Sequence, residues 1–172
     1  MILPDHMIES YIKEGRIGIH PPIRDTQLQP SSLDLRLGDI APDPFVEVTE
    51  AGWIIHPGAR VLGSTLDNVR IPNDLVGKVD GRSSLGRKFL LIHATAGLID
   101  PGWQGTIVLE IANLWPVGHP NALSIELVRE QRVAQISFEV LSAPCRDPYG
   151  SKRSSKYQGQ TGIVSAREDK EF

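Results

Sequence analysis

Glycine and proline cut this chain into short lengths. There are 16 Gly and 13 Pro in 172 residues, and the runs between them are short and rich in Val, Ile and Leu. Proline lacks the amide donor a helix or inner strand needs, and glycine admits backbone turns closed to other residues, so both end regular elements. Such segmentation leaves little room for long helices and favours strands. Candidate strands are 18–19, 33–37, 52–55, 60–65, 68–71, 75–80, 90–93, 106–113, 124–127 and 133–140. The one good helix signal is PDHMIESYIKEG (4–15): Pro4 and Asp5 suit its first turn, Met7, Ile8, Tyr11 and Ile12 share a face, and Gly15 suits its end. The expected class is all-β, a sandwich or barrel with a short N-terminal helix.

The length suits a single domain over 1–172 with enough core to fold alone. A net charge of −3 gives no global basic field for nucleic acid, so any bound nucleotide is expected to be small and held by local arginines. The single cysteine, Cys145, excludes an internal disulfide and a cysteine-rich zinc site. No apolar run approaches the roughly 20 residues of a membrane helix, and no leader pattern opens the chain. A cytoplasmic protein without a membrane partner is the expectation.

Chemistry concentrates between Gly81 and Asn113. GRSSLGR (81–87) sets Arg82, Ser83, Ser84 and Arg87 in one short segment. Guanidinium forks and hydroxyl donors match phosphate oxygens. The same segment also reads as a solvated hairpin turn, and it is not a Walker loop, since GxxxxGK[ST] is absent. HATAGLIDPGWQG (93–105) carries Asp100 in ordinary Asp-Pro-Gly turn chemistry. TIVLEIAN (106–113) alternates: Ile107, Leu109 and Ile111 share one side, and Val108, Glu110 and Ala112 the other. A carboxylate between Val and Ala on a strand is either paired with a cation or used.

The histidines 6, 20, 56, 93 and 119 are scattered, and Pro144–Cys145 has no second cysteine after it, so a zinc deaminase signature is missing. Trp103, three residues after Asp100, is the tryptophan placed to meet a ligand. The segment from Asp147 is polar and poor in apolar residues, a composition that suits disorder. The alternative is a tail that orders over a ligand with Tyr149, Lys156 and Gln160.

QPSSLDLRLG (29–38), GRSSLGRKF (81–89), HATAGLIDPGWQG (93–105), TIVLEIAN (106–113), RVAQISFE (132–139) and SKYQGQTG (155–162) resemble, in order and over nearly the whole chain, the dCTP deaminase branch of the trimeric dUTPase superfamily. The resemblance implies a distorted dUTPase-like β-barrel, of β-clip or jelly-roll type, assembled as a homotrimer with active sites between subunits. It implies dCTP and dUTP as ligands, dTTP as a feedback inhibitor, Mg²⁺ bound through the triphosphate, and no zinc. By position, it puts the catalytic carboxylate at Glu110, with Ser83, Arg87 and Asp100 as the other catalytic groups. The nucleotide-binding turn falls on Arg82, Ser83, Ser84, Leu85, Gly86 and Arg87. Base and sugar contacts fall on Asp100, Val108, Leu109 and Glu110, and phosphate-side contacts on Gln135, Tyr149, Lys156 and Gln160. The tail, about 147–172, is then expected to close over the nucleotide.

The product is open at this point. Members of the dUTPase branch resemble GLIDxDYxG where this chain has GLIDPGWQG, and they lack a carboxylate at the Glu110 position, which favours deamination. Members that take dCTP directly to dUMP resemble this chain in having a glycine after the alanine, here Ala96–Gly97, followed by Leu98. A glycine there would leave room beside Asp100 for a hydrolytic water. The readings are deamination followed by hydrolysis to dUMP and pyrophosphate, deamination to dUTP alone, a dUTPase, or a non-catalytic nucleotide-binding module. Two departures from the pattern are a short 38–46 segment and extra residues within 114–131.

Overall fold

The β-rich runs form strands, and the strands join into two sheets. A computed structural model describes residues 1–151 and 155–168. Helix α1 (Asp5–Lys13) is followed by β1 (Gly18–His20), β2 (Leu28–Gln29), β3 (Ser32–Ile40), β4 (Val46–Val48), β5 (Gly52–Ile55), β6 (Arg60–Arg70) and β7 (Leu75–Gly81). A one-turn helix α2 (Ser83–Gly86) precedes β8 (Leu90–Ile92), β9 (Leu98–Ile99), β10 (Gln104–Asn113), β11 (Ile125–Val128) and β12 (Arg132–Val140). Seven strands run in the order β8-β10-β6-β3-β12-β7-β9, with β1 on β6 and β2 on β3, and a separate sheet runs β11-β5-β4. Every pairing is antiparallel.

The large sheet curls into a half-barrel, and this brings its two ends together. A side chain at Gly81, on β7, would meet Ile92 Cβ of β8 at 3.1 Å, although four strands of the ordered path separate the two. The interior is filled from alternate positions: Leu109 and Ile111 of β10, Ile136 and Phe138 of β12, and Leu35 and Leu37 of β3 are all buried. Helix α1 keeps Asp5 at its N-terminal and Lys13 at its C-terminal turn, the arrangement the helix dipole favours, and buries Ile8.

Strand β3 is buried on both faces, which forces its charged residues to find partners. Arg36 Nη2 donates to Asp67 Oδ1 at 2.6 Å, and the Arg36 amide donates to Asp67 Oδ2 at 2.6 Å. Asp34 Oδ2 meets Arg132 Nη1 at 3.1 Å and Arg82 Nε at 3.3 Å. Burial pushes the Asp34 carboxyl above its ordinary range, outweighing the pull of Arg82 and Arg132 in the other direction.

Several boundaries differ from those expected. Residues 60–70 form one long strand, because the polar residues in its middle are paired internally: Thr65 Oγ1 donates to the Asp67 carbonyl at 2.7 Å. RSSLGR is a helical turn instead of a hairpin turn, closed by Gly86 and Arg87 amides donating to the carbonyls of Arg82 and Ser83. Strands β2, β4 and β9 are too short to carry a periodic signal.

Candidate active site

Glu110 is presented by an irregular strand. Between Thr106 and Val108 the register of β10 against β6 shifts, and the Ile107 amide bonds to Thr65 Oγ1 at 2.9 Å in place of a ladder partner. Bulges of this kind re-aim side chains near working sites. Beyond the shift Ile107, Leu109 and Ile111 point into the core, while Val108 and Glu110 are half-buried on the other face. A cavity of about 450 Å³ opens on that face, within the usual size of a small-molecule site. Its lining includes Asp100, Val108, Glu110, Tyr149, Gln160 and Leu98.

His93 joins this wall. It extends the β8–β10 pairing by donating its amide to the Glu110 carbonyl at 2.9 Å, and it holds φ at 67°. That left-handed conformation costs an L-residue about 1–2 kcal/mol. The imidazole is almost fully buried, with Nδ1 3.0 Å from Glu110 Oε2. The approach is close but is not aligned as a hydrogen bond, so both ring nitrogens are without a hydrogen-bond partner among the described residues. The Ala94 amide donates to the same carboxylate oxygen at 3.2 Å. Nothing local in the sequence signalled this pair: the two residues are 17 positions apart (110 minus 93), and only the Ile92–Ile111 register brings them together.

Asp100 and Trp103 enter on one turn, closed by the Trp103 amide donating to the Asp100 carbonyl at 3.1 Å. Trp103 lines the cavity and lies 5.5 Å, ring to ring, from Tyr149. Its Nε1, like Gln160 Oε1, is buried without a hydrogen-bond partner among the described residues. Buried polar atoms are normally satisfied. A donor and an acceptor left open beside a cavity mark a place where a polar ligand or water completes the hydrogen bonding.

The described tail is ordered by main-chain bonds to the start of β10. The Gly159 amide donates to the Gln104 carbonyl at 2.7 Å, and the Thr106 amide to the Gln160 carbonyl at 3.0 Å. Gln160 Nε2 returns to the Thr106 carbonyl at 2.9 Å. Tyr157, Val164 and Ala166 thereby join the cavity wall. Lys156 lies outside that wall, its Nζ donating to the Arg167 carbonyl at 3.3 Å. Residues 152–154 and 169–172 of the 147–172 tail lie outside the described residues.

The arginine-rich turn is elsewhere on the chain. Ser83, Ser84, Gly86 and Arg87 are exposed on α2, and Leu85 is buried beneath them. Arg82 is half-buried against Asp34 and donates its amide to the Val133 carbonyl at 3.1 Å. Gln135 lies on β12 opposite Asp34 and Asp80, beside this turn. None of these residues lines the cavity, and Leu109 points into the core. The described cavity wall contains two carboxylates and no Lys or Arg. Gly97 is used for close packing: a Cβ there would meet the Val79 carbonyl oxygen at 2.8 Å, and the Gly97 carbonyl accepts from the Val79 amide at 2.8 Å. Among the described residues no group of three or more His, Cys, Asp or Glu is arranged to hold a metal ion, and no helix is long and apolar enough to cross a membrane.

Comparison with known proteins places the chain in a family. Residues 43–141 match the family described as dCTP deaminase-like, and residues 1–42 match the N-terminal domain of 2'-deoxycytidine 5'-triphosphate deaminase. A protein of Methanosphaera stadtmanae named dCTP deaminase, dUMP-forming, is 42% identical over 98% of this chain and 95% of its own length. A Natronomonas pharaonis protein named dCTP deaminase is 44% identical over 100% of this chain and 98% of its own. Among solved structures, the 2'-deoxycytidine 5'-triphosphate deaminase of Agrobacterium tumefaciens superposes with a TM-score of 0.64 at 22% identity, covering 81% of this chain and 47% of that one. The EIAV dUTPase superposes with a TM-score of 0.51 at 20% identity, covering 80% and 98%. These two structures share the fold, and the matches to both family segments with identity above 40% over nearly the full length show that the chain belongs to the dCTP deaminase family.

Proposed function

We propose that this protein deaminates dCTP at C4 without zinc, then hydrolyses the dUTP to dUMP and pyrophosphate in the same site. The observation that carries the reading is Glu110, held by the Ala94 amide at the wall of a nucleotide-sized cavity shared with Asp100. The dUMP-forming name of a relative aligned along nearly the whole chain supports the second step. In the mechanism, Glu110 takes a proton from a water as its oxygen adds to C4 and delivers it to N3; it then takes the second proton from the new C4 hydroxyl and passes it to the amine, so that the C4–N bond breaks, C4=O forms and ammonia leaves. Asp100 then orients the water that attacks the α-phosphate.

A triphosphate needs cations, and the described wall of the cavity supplies none. The exposed Ser83 and Arg87 turn of a neighbouring copy, with Arg82, Ser84 and Gln135, would bring them. This is the sense in which we read a homotrimer with sites between subunits. The absence of a carboxylate cage among the described residues suits Mg²⁺ held through the substrate's phosphates and its own waters. Residues 1–172 act as one unit in the cytoplasm, and the tail closes over the nucleotide through Tyr149, Lys156 and Gln160. dTTP competes for the same cavity.

Deamination alone is the second reading. Gly97 lends the hydrolytic step no support of its own, since its missing side chain faces the Val79 carbonyl and the residue is not in the described cavity wall. Incubation with dCTP and Mg²⁺, followed by anion-exchange separation of products, decides between them. Ammonia with dUMP and pyrophosphate supports both steps, and ammonia with dUTP supports one. Glu110→Gln should abolish ammonia release and keep triphosphate binding; retained turnover would sink the mechanism.

A further inference from the structure

His93 is a buried, unpartnered polar group beside the working carboxylate, and the mechanism above gives it no task. Its ring stands 3.0 Å from Glu110 Oε2, lines the same cavity, and has no hydrogen-bond partner among the described residues. Its left-handed backbone is held by the amide hydrogen bond to the Glu110 carbonyl, so the backbones that carry ring and carboxylate are tied together. Strained conformations of this kind persist where surrounding structure holds them, and they cluster at functional sites.

Both contacts to the carboxylate, the Ala94 amide and His93 Nδ1, fall on Oε2. Resting on the deaminase reading, we infer that His93 is a positioning residue. Its Nδ1–H donates to Glu110 Oε2 in the substrate complex, so that Oε1 is the oxygen that handles the water's proton. A small rotation of the ring aligns the bond, and catalytic hydrogen bonds commonly tighten only when substrate is bound. The proton on Nδ1 stays on the imidazole throughout; the proton that moves runs from water to Oε1, and on to the pyrimidine.

The test compares three variants that all tolerate positive φ: His93→Asn, His93→Asp and His93→Gly. Asparagine can place an amide donor near the position of Nδ1, aspartate is its isostere without a donor, and glycine has no side chain. Ammonia release from dCTP is measured at varied substrate, alongside melting temperature. H93N should keep kcat within roughly 10-fold of wild type, the worth of one imperfect hydrogen bond. H93D and H93G should lose roughly 100-fold in kcat with KM for dCTP little changed, as expected when a base is misplaced. H93G keeps the comparison open if H93D does not fold. Equal kcat in H93G and H93N, or a loss confined to KM, overturns the inference alone. Wild-type protein that releases no ammonia from dCTP overturns the deaminase reading and this inference with it.

Discussion

Gly102 is where the tail can be unfastened by one methyl group. Its φ is +87°, and a Cβ there would lie 2.6 Å from Pro148 Cβ, 2.7 Å from the Tyr149 carbonyl oxygen and 3.0 Å from the Tyr149 nitrogen. The Tyr149 amide donates to the Pro101 carbonyl at 2.7 Å, so the obstacle is rigid backbone. In Gly102→Ala the left-handed conformation costs about 1–2 kcal/mol whether the tail is closed or open, because the turn itself is held. The overlap with Pro148 and Tyr149 is present only in the closed state, and crowding of this kind costs typically about 1–3 kcal/mol. That is a factor of roughly 5 to 150 in the closed-to-open ratio of the tail. The Asp100 turn is tied to Ile71, the residue after β6, by the Ile71–Trp103 and Gly102–Ile71 main-chain bonds, so the tail gives way first. Limited trypsin digestion reads the open population through cleavage at Lys156 and Arg167. We expect cleavage at least roughly 5-fold faster than in wild type, Trp103 emission shifted towards that of an exposed indole, and a raised KM for dCTP. Unchanged cleavage with unchanged KM would refute the reasoning, because it would show that the tail does not depend on Tyr149 lying where it does.

Asp67→Ala leaves Arg36 buried without its counter-ion and should lower stability by about 3–5 kcal/mol, measured by urea denaturation; a loss under about 1 kcal/mol would contradict the burial of the pair. Asp34 holds its proton more readily in the folded chain than at its ordinary value of 3.8, so its contribution favours folding at low pH and fades as pH rises through the elevated folded value. Asp34→Asn should therefore flatten the pH dependence of the denaturation midpoint just above 3.8, and an unaltered slope would speak against the burial effect. Glu110→Gln and Arg87→Ala should each be inactive alone, yet recover ammonia release when the two chains are refolded together. No recovery would place both residues in a site made by one chain.

The strand content was legible because β-branched runs lie between glycines and prolines, and β10 declared its faces through the alternation of Ile107, Leu109 and Ile111. What stayed hidden depends on partners far away in sequence. The pairing of His93 with Glu110 exists only through antiparallel register. The buried role of Asp34 and Arg36 depends on a strand covered on both sides, which a reading of alternation assigns to solvent. The one-turn helix at Ser83–Gly86 carries the same residues as a hairpin turn would, and the closure that decides between them is made by main-chain amides. The arginine turn precedes β8 and Glu110 lies on β10, yet no residue of the turn lines the described cavity, and nothing local in the sequence announces that.

The tail bonds have a further consequence for colloidal behaviour. Along Gln104–Thr106, β10 is paired with β6 on one side only, and tail residues 159–160 occupy the other. An uncovered strand edge is a template for pairing with another chain. On the closure proposed above, each lifting of the tail to admit or release a nucleotide would bare that edge. Protein turning over at sub-saturating substrate thus samples a self-adhesive form, whereas protein held closed by bound nucleotide does not, so clouding on storage should fall as ligand occupancy rises.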